Sequence, residues 1–163
     1  MDIVESPRVV HRPEMPYVGI RLVTPFRGML SVRDRLLTEL HDFVVKEQVA
    51  VAGPYFLRLH VIDMNGPMDI EVGVVTTERL GGNDRVRANL LPDGDYATLT
   101  YREHDIRANR ALLEWVRAQG VQLDRVDDPS GDRFACRYEA YLTDPWTEPR
   151  KKKWTIQLNM RVL

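Results

Sequence analysis

"YFLRLHVIDMNGPMDIEVGVVT", residues 55–76, decides how this chain folds. Residues 55–62 and 68–76 each alternate with the period of two that marks a strand. In the second run Met68, Ile70 and Val72 point one way, and Asp69 and Glu71 the other. Between the two runs, Asp63-Met64-Asn65-Gly66-Pro67 is turn chemistry, so the stretch reads as an antiparallel hairpin. Gly53-Pro54 breaks the chain before it. Ahead of that break, "SVRDRLLTELHDFVVKE" (31–47) predicts a helix. Leu36, Leu37, Leu40, Phe43 and Val44 form its apolar face, and Ser31 with Asp34 resembles a capping box. "YVGIRLVTP" (17–25) predicts a strand ended by Pro25. Residues 1–16 carry Pro7, Pro13 and Pro16, and predict an edge strand at most.

The same order then repeats. "ERLGGNDRVRANLLPDG" (78–94) reads as a connector, rich in glycine and turn residues. "DYATLTYRE" (95–103) predicts a strand. "DIRANRALLEWVRAQG" (105–120) predicts a helix, with Asp105 as its cap, Leu112, Leu113 and Val116 as its stripe and Gly120 as its stop. "DRVDDPSGD" reads as a polar loop. Strands follow at 134–142 and 154–162. The chain of 163 residues is thus expected to form one α+β domain of tandem β-α-β-β modules related by a pseudo-twofold axis. Its antiparallel sheet is expected to carry two helices on one face. Half one spans about 16–77 and half two about 95–163, with a groove between the halves as the natural place for a ligand.

Composition narrows the chemistry. Apolar residues make up 44% of the chain, charged residues 29%, and the net charge is −1, which gives no general attraction to nucleic acid or an anionic membrane. No apolar run approaches the length of a membrane span, and the first residues lack the pattern of a signal peptide, so a cytoplasmic protein is expected. Cys136 is the single cysteine, which excludes an internal disulfide and a thiolate metal cluster. His11, His41, His60 and His104 show no ligand spacing; no metal and no cofactor are expected. His41 falls on the polar side of its helix and is expected to be solvated. "RKKK" (150–153) is the only basic run and reads as a solvated hairpin tip. Dinucleotide, P-loop and HExxH motifs are absent.

What remains is a carboxylate among aromatics. In "RYEAYL" (137–142), Glu139 and Tyr141 share one side of a strand with Arg137, and Tyr138 and Ala140 take the other. Two readings stand for Glu139. It pairs with an arginine, Arg58 being at the matching place in half one, because buried acids are rarely left unpaired. Or it is the polar point of an aromatic cavity, either ionised and attracting a cation or desolvated and acting as proton donor or general base. Tyr17 and Tyr96 open the first strands of the two halves, Phe56 lies on the second strand of half one, and Trp146, in "DPWTEP", is placed to roof a pocket.

"YVGIR", "GPYFLRLH", "MDIEVGVV", "LPDGDYATLTY", "LLEWV" and "YEAYLTDPWTEP", in this order over about residues 16–163, resemble the GyrI-like small-molecule-binding family. That family includes the effector-binding domains of multidrug-sensing and AraC-type transcription regulators. The resemblance implies a tandem β-α-β-β fold with a pocket between the halves. It also implies a binding or catalytic glutamate at Glu139, with Tyr141, Tyr96, Trp146, Phe56 and Tyr17 as candidate ligand contacts and Tyr141 as a catalytic partner. The chain looks like the binding module standing alone, with no nucleic-acid partner. Such members imply binding of a lipophilic or cationic small molecule, hydrolysis of electrophilic cyclopropane-bearing natural products, or inhibition of gyrase by direct contact.

Overall fold

The computed structural model describes residues 1–163. Ten strands form one antiparallel sheet, with helices α1 (Met29–Lys46) and α2 (Asp105–Ala118) against it. The strands are β1 (Asp2–Arg12), β2 (Met15–Pro25), β3 (Val51–Ile62), β4 (Pro67–Thr76), β5 (Arg87–Leu91), β6 (Gly94–Arg102), β7 (Arg125–Asp128), β8 (Gly131–Phe134), β9 (Arg137–Tyr141) and β10 (Ile156–Arg161). Eight of them run in the order β1-β6-β10-β9-β3-β4-β2-β5, while β7 and β8 form a hairpin that attaches to the end of β3.

This order is symmetric about the β9–β3 junction, and it holds one surprise. The proline-marked start of the chain is a full strand, β1, which pairs with β6 of the other half. Part of the glycine-rich connector is likewise a strand, β5, which pairs with β2. Each half therefore lends its leading strand to its partner. The polar loop between α2 and β9 is also ordered, as the β7–β8 hairpin.

Both helices lie on the same sheet face. Leu36, Leu37, Leu40 and Val44 of α1 pack on Val18, Ile20, Ile70 and Val72. Ala108, Leu112 and Val116 of α2 pack on Ala97, Leu99, Leu158 and Met160. Burial of these aliphatic faces is the main force fixing the helices, each fully buried side chain contributing about 1.5–3 kcal/mol. Neither helix start uses the expected cap. Gly28 (φ 84°) and His104 (φ 62°) precede the helices in left-handed conformation, with no side-chain cap. Asp34 instead holds Arg33 and Lys151.

The opposite face carries a third core. Tyr17 meets Phe56 edge-on at 4.9 Å, Phe56 meets Tyr138 at 5.6 Å, and Tyr138 meets Tyr96 at 5.9 Å. The ladder runs from one half to the other across the pseudo-axis, with Cys136 buried at its side. Gly73 makes room for it, since a Cβ there would stand 2.4 Å from Phe56 Cζ and 2.9 Å from Tyr17 Cδ2. We expect Gly73→Ala to cost about 1–3 kcal/mol by overpacking, read as a lower melting temperature in calorimetry. An unchanged melting temperature would mean that the ladder yields freely.

Candidate functional site

Glu139 lies on the symmetry axis. The register pairs it with Leu57 on β3 and Leu158 on β10. Leu57 pairs onward with Val72 and Val72 with Ile20, while Leu158 pairs with Leu99. One row of side chains thus crosses six strands on the helix face, and it reads Ile20, Val72, Leu57, Glu139, Leu158, Leu99. Every member except Glu139 is aliphatic and buried. Arg58 is not the counterpart of Glu139. It pairs with Tyr138, and so faces the other side of the sheet, where it donates to the Tyr17 hydroxyl and to the carbonyls of Leu90 and Ala135.

The surroundings of Glu139 come from both helices. The Tyr141 hydroxyl donates to Glu139 Oε1 at 2.8 Å. Arg33 of α1, its side chain 8% exposed, brings Nη1 to 3.9 Å from the same oxygen and to 3.4 Å from the Tyr141 hydroxyl, with its guanidinium 5.6 Å from the centre of the Tyr141 ring. Asp34 fixes Arg33 from behind at 2.9 Å. On the α2 side the Tyr101 hydroxyl is buried without a hydrogen-bond partner, near enough to Glu139 for the carboxylate's charge to push its pKa up, after burial itself.

Burial raises the Glu139 pKa, and the nearby Asp105 adds to this; the Tyr141 hydrogen bond and the Arg33 charge oppose it without cancelling it. For a carboxyl whose folded pKa is raised, the neutral form favours folding. The stabilising contribution is complete below the unfolded pKa and is lost as pH rises through the carboxylate range toward the folded value. Glu139→Gln mimics the neutral form. We therefore expect the variant to melt higher than the parent at neutral pH and to match it at acid pH, in paired thermal scans. A variant that melts lower at neutral pH would contradict the assigned direction.

The other candidates divide between the faces. Tyr141 is brought to Glu139. Trp146 shares the helix face one register step away, stacked on His41 at 4.0 Å and edge-on to Tyr55 at 5.7 Å, and Tyr55 pairs with Tyr141. His41 is accordingly half-buried and bonded to the Tyr55 hydroxyl at 3.1 Å, not free in solvent. Tyr17, Phe56 and Tyr96 are on the opposite face, in the aromatic ladder, and do not share a site with Glu139. The residues missed from sequence are Arg33, Tyr101 and Trp154, whose ring lies 5.3 Å from Tyr141. Spacing carried a signal for two of them. Arg33 precedes Leu36 and Leu37 by three and four on the apolar stripe of α1, and Tyr101 shares strand parity with Leu99.

No protein-family model matches the chain, and no curated protein does. Solved structures do. The C-terminal domain of EcmrR superposes with a TM-score of 0.76 at 16% identity, covering 98% of each chain. A hydrolase from Listeria innocua gives 0.63 at 10% identity, over 98% of this chain and 92% of that one. SAV2435, in a structure bound to tetraphenylphosphonium, gives 0.60 at 13% identity, over 97% and 94%. At such identities the likeness is one of fold, the GyrI-like α+β arrangement of an open antiparallel sheet with two helices.

Proposed function

We propose that the chain binds a lipophilic, cationic small molecule over Glu139, in the seam between α1 and α2. The observation that carries this is the lone carboxylate in an otherwise aliphatic row on the symmetry axis. Burying a carboxylate there weakens the fold, and such a cost is retained where the group has a use. Tyr141, Trp154 and Tyr101 supply ring faces and hydroxyls for a flat or aryl-bearing cation. The binding of tetraphenylphosphonium by SAV2435, a protein of the same fold, supports that ligand class.

Arg33 already takes the part of a cation, near Glu139 and over the ring of Tyr141. A bound cation must displace it or share the carboxylate with it, and must also part the surrounding side chains, since the gap beside Glu139 is about 10 Å³. Arg33→Ala is therefore expected to tighten tetraphenylphosphonium binding by about tenfold in calorimetric titration, the like-charge repulsion of a partly buried site being worth on the order of 1–2 kcal/mol. Weaker binding by the variant would count against the reading.

A second reading is hydrolysis of an electrophilic compound, for which Glu139 has a raised pKa and a hydroxyl 2.8 Å away. A carboxyl poised in this way can give or take a proton, and Tyr141 can donate to a developing anion. Turnover of a cyclopropane-bearing electrophile that disappears in Glu139→Gln, with binding kept, separates it from simple binding.

A further inference from the structure

The two halves are not equal in one respect. Residues 47–50 join α1 to β3, whereas residues 119–136 join α2 to β9 and contain the β7–β8 hairpin. Between this hairpin and α2 lies a cleft of about 590 Å³, far larger than the gap of about 10 Å³ beside Glu139. Its volume is that of a small-molecule site. Leu113 and Val116 of α2, Leu123, and Phe134 of β8 form apolar walls, and the charged lining is three arginines, Arg117, Arg125 and Arg137, against two aspartates, Asp127 and Asp132.

The charges of this region do not balance inside the cleft. Arg125 binds both Asp127 and Asp132, Arg133 pairs with Asp128, and Arg161 pairs with Asp124. Every aspartate of the hairpin region is thereby engaged, and none of these ion pairs includes Arg117 or Arg137. Arg137 lies over the ring of Phe134, with its Cζ 4.9 Å from the ring centre. Its one hydrogen bond runs from Nη2 to Asn109 Oδ1 at 2.9 Å, a neutral acceptor that is itself oriented by donating to the Asp105 carbonyl. Burial depresses this guanidinium to about 10, against the pull of Glu139 and Asp132. Glu139 and Asp132 act on this guanidinium only at a distance, and no carboxylate bonds it directly, so its planar fork is left to match a carboxylate in two parallel hydrogen bonds.

We infer that the cleft between α2 and the β7–β8 hairpin is a second small-molecule site, built for an amphipathic organic carboxylate. The carboxylate pairs with Arg137, with Arg117 at the rim, and the apolar body lies against Leu113, Val116, Leu123 and Phe134. Arg137 also borders the small gap beside Glu139, but the cleft lies on the hairpin side of it and has the opposite charge preference. It stands whether or not that seam binds a cation.

Decanoate and decanol, below the concentration at which decanoate forms micelles, are suitable probes, titrated calorimetrically into the full chain. Decanoate is expected to bind at least about tenfold more tightly than decanol, the ordinary reach of a charge-assisted hydrogen bond. Arg137→Gln should erase that preference. Arg117→Ala, at an exposed position that does not endanger folding, should reduce it a few-fold. Leu123→Trp should fill the cleft and abolish decanoate binding while leaving tetraphenylphosphonium binding as it was. No decanoate binding by the parent, equal affinity for decanol, or decanoate binding that survives Leu123→Trp would each overturn the inference. Failure of the Glu139 seam to bind a cation leaves these outcomes readable, because the decanoate titrations do not depend on it.

Discussion

Replacing Glu139 by glutamine is expected to weaken tetraphenylphosphonium binding by about 10-fold to 150-fold while leaving a neutral aryl compound of similar size nearly unaffected. The figure corresponds to loss of about 1.5–3 kcal/mol, the range for a charge-assisted contact in a site that excludes water. Glutamine keeps the shape and can still accept from the Tyr141 hydroxyl, so the aromatic contacts survive and only the charge goes. The selectivity between charged and neutral ligands is thus the informative measurement. Equal weakening of both would point to a packing defect. No weakening of either would return Glu139 to a structural role with Arg33 and Tyr141. The same substitution is expected to raise the melting temperature, so one change moves stability and binding in opposite directions, as expected where a group is kept for use at the expense of the fold.

The second large effect belongs to the opposite face. Glu71, 3% exposed, accepts from the Tyr17 hydroxyl at 2.6 Å and from His60 Nε2 at 2.8 Å, both at Oε1. Its other oxygen lies over Gly19, where a Cβ would come within 2.9 Å of it. Arg58 in turn donates to the Tyr17 hydroxyl at 3.1 Å. Glu71→Ala would leave a phenol and an imidazole in the interior without their acceptor and the Arg58 guanidinium without a nearby negative charge, and about 3–5 kcal/mol of stability should be lost, measured by urea denaturation. Pairing Glu71→Leu with Tyr17→Phe should cost less than the sum of the two, because donor and acceptor then leave together. Burial also holds the His60 pKa below its usual value. For a base lowered in this way, the neutral form favours folding. Its contribution is present above the unfolded pKa and is lost as pH falls through that range toward the folded value. A cost for Glu71→Ala below about 1 kcal/mol would mean that the network contributes little to holding β2, β3 and β4 together.

Much of this architecture is legible in the chain, and the exceptions have physical reasons. The strands that alternate, such as 68–76, and the helices with a continuous aliphatic stripe announce themselves because one face of each is buried by its own neighbours in sequence. β1 and β5 do not. Their burial comes from strands of the other half, and Pro7 and the Gly81-Gly82-Asn83 run look like interruptions when read locally. The β7–β8 hairpin is built around Asp128-Pro129-Ser130-Gly131 with charged flanks, and local composition cannot distinguish it from a loop. At the site, parity places Glu139 with Tyr141 and Arg137. It cannot show which strand lies alongside, and so the facing residue is Leu57 and not Arg58. Nor does parity reveal that Tyr17, Phe56 and Tyr96 face away, since their strands' orientation relative to β9 depends on long-range register.

The exchange of leading strands between the halves also governs how the molecule must assemble. Asp2 comes to rest beside Arg102, and Met15 beside Leu91, so neither edge of the sheet can close until a long stretch of the polypeptide has been gathered. Joining distant segments requires the closure of long loops before any bond rewards it, which makes for slow folding. It also makes for cooperation. A fragment ending near residue 77 would keep β1 without the β6 on which it pairs, and one beginning there would keep β5 without β2. The two modules, though each looks complete as a motif, are expected to form and melt together in a single transition.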